Sequence, residues 1–144
     1  MKTEIRSPQT PIEWDAYFDL RYRVLRKNLN QPLGSEHHEG DPTGIHFALF
    51  ENDQILAIAR LDYMDENIAQ VRFVAVENDQ QGKGLGKKIM LAVEDRCKFD
   101  QKKKLILHAR DYAVDFYLNL NYTLIEPSYK LFDVLQHFLM EKKF

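Results

Sequence analysis

The stretch "QGKGLGKK", Gln81 to Lys88, places three of the chain's six glycines within five residues and closes on paired lysines. Such a run reads as a phosphate cradle. Backbone N–H groups at a helix start lack intrahelical acceptors, and the helix dipole favours negative charge there. Glycine lets an anion approach the backbone, and Lys83, Lys87 and Lys88 add local positive charge. Two familiar glycine codes do not fit. A P-loop needs glycine, four residues, then Gly-Lys-Ser/Thr, yet the fifth residue beyond Gly82 is Lys87 and no Ser or Thr follows. A dinucleotide fingerprint needs G-x-G-x-x-G behind the first strand of its unit. Here Gly82, Gly84 and Gly86 are evenly spaced behind the fourth strand of the pattern. The competing plain reading is a tight strand-to-helix turn with solvated lysines.

Behind the glycines, Leu85, Ile89, Val93 and Cys97 recur four apart, while Lys87, Lys88, Glu94, Asp95 and Lys98 take the other side. This predicts an amphipathic helix to about Phe99. Ahead of them, Ile45–Phe50, Gln54–Leu61 and Ile68–Val76 are apolar runs split by Glu51-Asn52-Asp53 and by Met64–Asn67. Three strands with such short connections make an antiparallel meander. Further upstream, Thr10 reads as an N-cap, Pro11 as the first helical residue, and Glu13 as the reciprocal carboxylate three after the cap. Trp14, Phe18, Tyr22 and Tyr17, Leu20, Val24 then keep helical spacing to about Arg26. Asn28–Gly44 is polar and turn-rich, and irregular segments of that length are often functional.

Downstream, Lys104–His108 reads as a short buried strand, and Asp111 as the cap of a helix carrying Ala113, Phe116, Tyr117 and Leu120. Asn121 can take the left-handed conformation that ends it. Tyr122–Ile125 and Gln136–Met140 close the chain as strands. The expected order is β-α-β-β-β-α-β-α-β-β, a mixed α/β sheet, and residues 1–144 show no repeat or linker that would divide one domain into two.

A net charge of −2 argues against a general polyanion surface, so nucleic acid is not an expected partner. The lone Cys97 excludes an intramolecular disulfide and a cysteine-rich zinc site. No apolar run approaches the roughly 18 residues of a membrane span, and the first residues lack the apolar core of a signal peptide. A cytoplasmic protein without a membrane partner is expected. His37 and His38 with Glu36, Glu39 and Asp41 suggest a metal site on composition alone. They are adjacent in sequence and lack the separated ligands of a closed site, so no metal is expected.

With these residues in view, the sequence resembles the GNAT superfamily of N-acetyltransferases. The family's motif Arg/Gln-x-x-Gly-x-Gly/Ala is matched by Gln81-Gly82-Lys83-Gly84-Leu85-Gly86, preceded by the strand Phe73-Val74-Ala75-Val76. "LILHARDYAVDFYLNLNY", Leu105 to Tyr122, resembles the family's "hxAxxxAxxFYxxxGF" block, with Asn121 at a usual glycine. "LRYRVLR" (Leu20–Arg26) and "HFLMEK" (His137–Lys142) resemble the ends of a bacterial subgroup that includes the ElaA-like proteins. Gln136, Ser128 and Lys130 depart from that subgroup's Pro, Gly and Glu.

The resemblance implies a GNAT acyl-CoA N-acyltransferase fold with a splayed central sheet, acetyl-CoA as co-substrate, and direct acetyl transfer to an amine, taken to be on a small molecule. It places the pyrophosphate on the amides of Gly82, Lys83, Gly84, Leu85, Gly86 and Lys87, with Gln81 opening the motif and Phe116 beside the cofactor. It places the pantetheine arm along Phe73, Val74, Ala75 and Val76, with an N–H near Val74 polarising the thioester carbonyl. Tyr117 falls at the family's general acid; a core aromatic is the competing reading. Arg72, His108 and His137 are acceptor-side candidates, with a buried salt bridge as the alternative for Arg72. Gln70 stands where several members carry a catalytic glutamate, so the base stays open among Glu66, Glu77, His108 and a water relay. A non-catalytic acyl-CoA sensor and a protein or peptide acetyltransferase stay open beside the enzyme. The family's exposed last strands also imply that two copies can pair as a homodimer.

Overall fold

The computed structural model describes residues 2–144. In chain order the elements are β1 (Thr3–Arg6), α1 (Pro11–Leu25), β2 (Ile45–Glu51), β3 (Gln54–Tyr63), β4 (Ile68–Val76), α2 (Leu85–Phe99), β5 (Lys104–Arg110), α3 (Val114–Asn119), β6 (Thr123–Leu131) and β7 (Leu135–Lys143). They build one mixed sheet in the order β1-β2-β3-β4-β5-β7-β6. The β4–β5 pair is parallel and the other neighbours are antiparallel. The chain order of these elements, and the mixed sheet, are as expected from the sequence.

Helices cover both faces, which is why β2 and β3 read as unbroken apolar runs rather than alternating ones. Phe47 and Leu49 of β2 join the cluster built on Leu85, Ile89, Met90, Val93 and Cys97 of α2. Their neighbours Ala48 and Phe50 point the other way, onto Tyr17, Leu20 and Leu25 of α1. The start of α1 is capped as expected: the Glu13 N–H donates to Thr10 Oγ1 at 3.1 Å. The Glu13 carboxylate accepts from the Gln9 N–H at 2.8 Å and takes both terminal nitrogens of Arg6, tying β1 to α1.

Three local expectations need correction. Asp111 does not cap α3; it opens a 3₁₀ turn, Asp111–Ala113, and makes no capping bond. Glu94 does not sit on the solvent side of α2. It is 2% exposed, and accepts from Tyr122 Oη at 2.6 Å and Lys142 Nζ at 3.0 Å. Two aligned partners offset the desolvation of that carboxylate, which periodicity alone cannot foresee. The closing strands also run further than expected, and β6 is bulged twice along its pairing with β7. Asn121 does take the left-handed conformation, at φ 72°.

The sheet opens in the middle. β4 and β5 share register only over Ile68–Gln70 and Lys104–Ile106, so Val71–Val76 has no ladder partner on the β5 side. On its other side β4 is bulged: Phe73 and Val74 both fall opposite Ala59. Phe73 sits at φ 56°, a left-handed conformation that costs about 1–3 kcal/mol for a bulky residue.

What holds it is a cage of arginines. The guanidinium carbons of Arg21, Arg60, Arg72 and Arg26 lie 4.2, 5.1, 5.5 and 5.7 Å from the Phe73 ring centroid. Cation–π contacts of this kind contribute about 0.5–2 kcal/mol each, more as water is excluded. Arg21 and Arg60 are fully buried, and Asp41 accepts from both, at 3.0 and 2.8 Å. The segment between α1 and β2 therefore does structural work. A Cβ on Gly40 would meet Arg60 Nη2 at 2.7 Å, and one on Gly44 would meet Arg60 Cδ at 2.5 Å. His46 completes the cluster: its Nε2 donates to the Asp41 carbonyl, so its Nδ1 accepts from Tyr17 Oη, both at 2.8 Å.

Removing the Asp41 charge leaves two buried guanidiniums short of their shared partner. Asp41→Asn is expected to cost about 3–5 kcal/mol, measured by urea unfolding at pH 7. Burial by itself would raise the Asp41 pKa, but the His38 N–H, then Arg60 and Arg21, hold it below the usual value. Its contribution is therefore complete above the unfolded value of about 3.9 and is lost as pH falls through the lower folded value. Asp41→Asn is expected to flatten that acid limb of the stability profile.

Candidate active site

A cleft of about 800 Å³ fills the gap where β4 and β5 part. Its floor is the free edge of β4, carrying Arg72, Phe73, Val74, Ala75 and Val76. Its far end is the start of α2, where Gln81, Gly82, Gly84, Leu85, Gly86 and Lys87 line the wall. His108 enters from β5, Phe116 and Tyr117 from α3, and His137 from β7. The cofactor-side and acceptor-side residues singled out in the sequence thus meet around one opening, with Lys83 as the exception among them. The Lys83 side chain stays outside the lining and donates to Gln80 Oε1 at 3.2 Å.

The glycine turn is built for close approach. Gly82 and Gly84 have φ of 81° and 84°, and Gly84 is the N-cap of α2 with no side-chain capping bond. The first N–H groups of α2 are thus left to whatever fills the cleft. Gln81 Nε2 donates to the Val76 carbonyl at 3.2 Å, bracing the turn against the end of β4. Gly86 serves a different need. A Cβ there would lie 3.0 Å from Phe116 Cζ, so glycine lets α3 close onto α2.

Tyr117 packs edge-on to Phe116 at 4.9 Å and to Tyr122 at 5.7 Å. Its hydroxyl has no hydrogen-bond partner among the described residues. Burial pushes its pKa well up, so at neutral pH the phenol keeps its proton.

The two histidines are held neutral. Burial, then the Arg72 charge, lowers the His108 pKa. Burial lowers that of His137, with Arg110, His108 and Arg26 adding to it against the Leu135 carbonyl. His137 Nδ1 lies 3.1 Å from that carbonyl, which can only accept, so Nδ1 carries the hydrogen and Nε2 the lone pair. Tyr129 stacks on His137 at 4.4 Å and lies 5.4 Å from His108. Ser128, one of the departures from the subgroup pattern, meets His108 Nδ1 at 2.9 Å.

The carboxylate candidates lie elsewhere. Glu77 takes both terminal nitrogens of Arg23, at 2.5 and 2.9 Å. Glu66 sits in the turn before β4, where its carbonyl accepts from Lys102 Nζ at 3.3 Å. Gln70 does line the cleft. Arg72 forms no ion pair among the described residues, so its salt-bridge alternative falls. Arg72 also borders a smaller cavity of about 370 Å³ beside His38, Arg60 and Asp62. Of the residues that suggested a metal site, His38 and Asp41 meet Arg60, and Glu36 accepts from the Gly34 N–H at 2.8 Å. Arg26, Arg110 and Tyr129 line the cleft without having been singled out as site residues.

The family model for the acetyltransferase (GNAT) domain matches residues 23–144. The chain belongs to this GNAT acetyltransferase family. The GNAT fold is equally plain in solved structures. Escherichia coli ElaA superposes with a TM-score of 0.82 at 19% identity, covering 99% of each chain. An aminoglycoside 6'-N-acetyltransferase complexed with coenzyme A superposes at 0.81 with 13% identity, covering 99% of this chain and 97% of that one. An acyl-CoA N-acyltransferase from Pseudomonas aeruginosa superposes at 0.80 with 20% identity, covering 98% of each. No helix among the described residues is long and apolar enough to cross a membrane.

Gly86→Val in this GNAT is expected to force Phe116 aside and cost about 1–3 kcal/mol, as for overpacking a tight contact. Gly84→Ala faces open space, and should lose only the left-handed penalty of about 1–2 kcal/mol. Thermal unfolding of both variants checks this, at about 2–4 °C per kcal/mol for a chain of this size.

Proposed function

We propose that this GNAT takes acetyl-CoA as its donor and transfers the acetyl group directly to the amine of a small acceptor. The observation that carries this reading is the unpaired edge of β4, running from Val71 to Val76 straight toward the uncapped start of α2. An extended amide-bearing arm can add to that edge as a strand would. The phosphates at its end then meet the N–H groups of the glycine turn. Phe116 closes the side, and Lys87 adds charge at the mouth.

In this reading the Phe73 bulge turns the Val74 N–H toward the thioester carbonyl, where a preorganised donor stabilises the developing oxyanion. Such a donor is worth about 3 kcal/mol. The amine nitrogen attacks the carbonyl carbon, the C–N bond forms and the C–S bond breaks. Tyr117 gives its proton to the departing sulfur, and the second proton leaving the attacking nitrogen as the amide forms restores the Tyr117 phenol, directly or through water. The proton of the acceptor ammonium goes to His137 Nε2, directly or through water, since Nδ1 is already committed to Leu135. Arg72 and His108 line the acceptor side.

CoA at about 100 times its Kd is expected to stabilise the protein by about 2.7 kcal/mol, seen as a thermal shift of several degrees. No shift at saturation would remove the donor assignment. Tyr117→Phe is expected to lower turnover about 100-fold or more while leaving CoA affinity nearly unchanged. Equal turnover would return Tyr117 to a packing role. His137→Gln should remove the acidic limb of the kcat/KM profile, because that limb reports protonation of the base in free enzyme.

A further inference from the structure

The cleft wall carries positive charge without a counter-charge. Arg26, Arg72 and Arg110 line it, and among the described residues no Asp or Glu does. Elsewhere the protein pairs its shielded arginines: Arg21 with Asp41, Arg60 with Asp41 and Asp62, Arg23 with Glu77, Arg6 with Glu13. Arg26, Arg72 and Arg110 form no ion pair among the described residues.

Two of the three converge on one atom. Arg110 Nη2 donates to the Leu25 carbonyl at 2.7 Å, and Arg26 Nη1 donates to the same oxygen at 3.1 Å. Arg110 comes from the end of β5, next to His137 across the β5–β7 ladder, and Arg26 from the end of α1. Neither belongs to the glycine turn. The Leu25 carbonyl, and the Ser35 carbonyl that accepts from Arg26 Nε at 3.3 Å, are neutral and leave the two guanidinium charges unbalanced. Burial, then the charge of Arg110, lowers the Arg26 pKa; Tyr129 opposes this, and Arg21 and Arg72 each add a lesser lowering. A third fixed donor, the Arg110 bond to Tyr112 Oη at 3.0 Å, keeps the Arg110 fork in place.

From this geometry we propose that the acceptor carries an anionic group, a carboxylate or a phosphate, beside its amine, and that Arg26 and Arg110 bind that group, with Arg72 adding charge. This rests on the transferase reading above and names the chemistry of its acceptor. A planar carboxylate or a phosphate matches the paired forks of two guanidiniums. The same wall disfavours diamines and other polycations, which would bring further positive charge to an unpaired cationic surface.

The test uses the CoA-saturated protein and four small amines: 6-aminohexanoate, O-phosphoethanolamine, cadaverine and hexylamine. Binding is measured by calorimetry, and thiol release by acetyl-CoA turnover. The two anionic amines are expected to bind and turn over in preference to the other two, and their relative strengths tell a carboxylate acceptor from a phosphate one. Arg26→Gln and Arg110→Gln should each reduce the anionic-to-neutral preference about 10- to 100-fold, as for loss of a hydrogen bond to a charged group. CoA affinity of the variants, measured in parallel, reports whether they remain folded and whether the arginines serve the donor instead. Equal or better binding of cadaverine overturns the proposal. So does a variant that loses CoA affinity rather than the anionic preference. A wild-type protein that binds no CoA overturns the donor reading, and this one with it. CoA binding without any preference for the anionic amines overturns this one alone.

Discussion

The opening of the sheet depends on one strained residue and the charges that hold it. Phe73 is kept in a left-handed conformation inside β4, and four guanidiniums gather around its ring. Without that bulge β4 would run on as a regular strand, and nothing in its apolar sequence would stop it pairing with β5 past Gln70. With it, the strand turns its edge outward and leaves a row of peptide groups facing a cleft. Bulges beside active sites commonly re-aim a strand in this way. The cost is met by the buried ion cluster of Arg21, Asp41 and Arg60, which reaches from α1 through the 28–44 segment to β3.

This arrangement explains why the 28–44 segment is long and irregular. It is the lid of a buried charge cluster, with Asp41 as shared acceptor and Gly40 and Gly44 as the space Arg60 needs. Replacing such a cluster by apolar side chains need not cost stability, so its presence is better understood as positioning. The arginines fix Phe73, Phe73 fixes the direction of the Val74 backbone, and that backbone faces the cleft.

Much of the fold was legible in the sequence because it rests on local codes. The cap Thr10-Pro11-Ile12-Glu13, the period of α2, the two short turns and the left-handed Asn121 each act over a few residues. The glycine turn was legible for the same reason, and Phe116-Tyr117 came into view through the resemblance. What stayed hidden depends on distant partners. Glu94 looked solvated until Tyr122 and Lys142 were seen beside it. Arg26 and Arg110 lie 84 positions apart in the sequence and meet only at the Leu25 carbonyl. No periodicity marks a left-handed phenylalanine, because the signal is the tertiary cage rather than the residue. Asp111 misled because an Asp ahead of an apolar period reads as a cap whether or not a 3₁₀ turn intervenes.

The most direct measurement is a crystal structure with a non-hydrolysable acetyl-CoA analogue. The thioester-mimicking carbonyl is expected about 2.9 Å from the Val74 nitrogen, with the pantetheine amides paired along Val74–Val76, the pyrophosphate on the amides of residues 82–87, and Phe73 still left-handed. A β4 strand regular at Phe73 and paired with β5 through Val76, or an analogue bound away from this edge, would contradict the central claim.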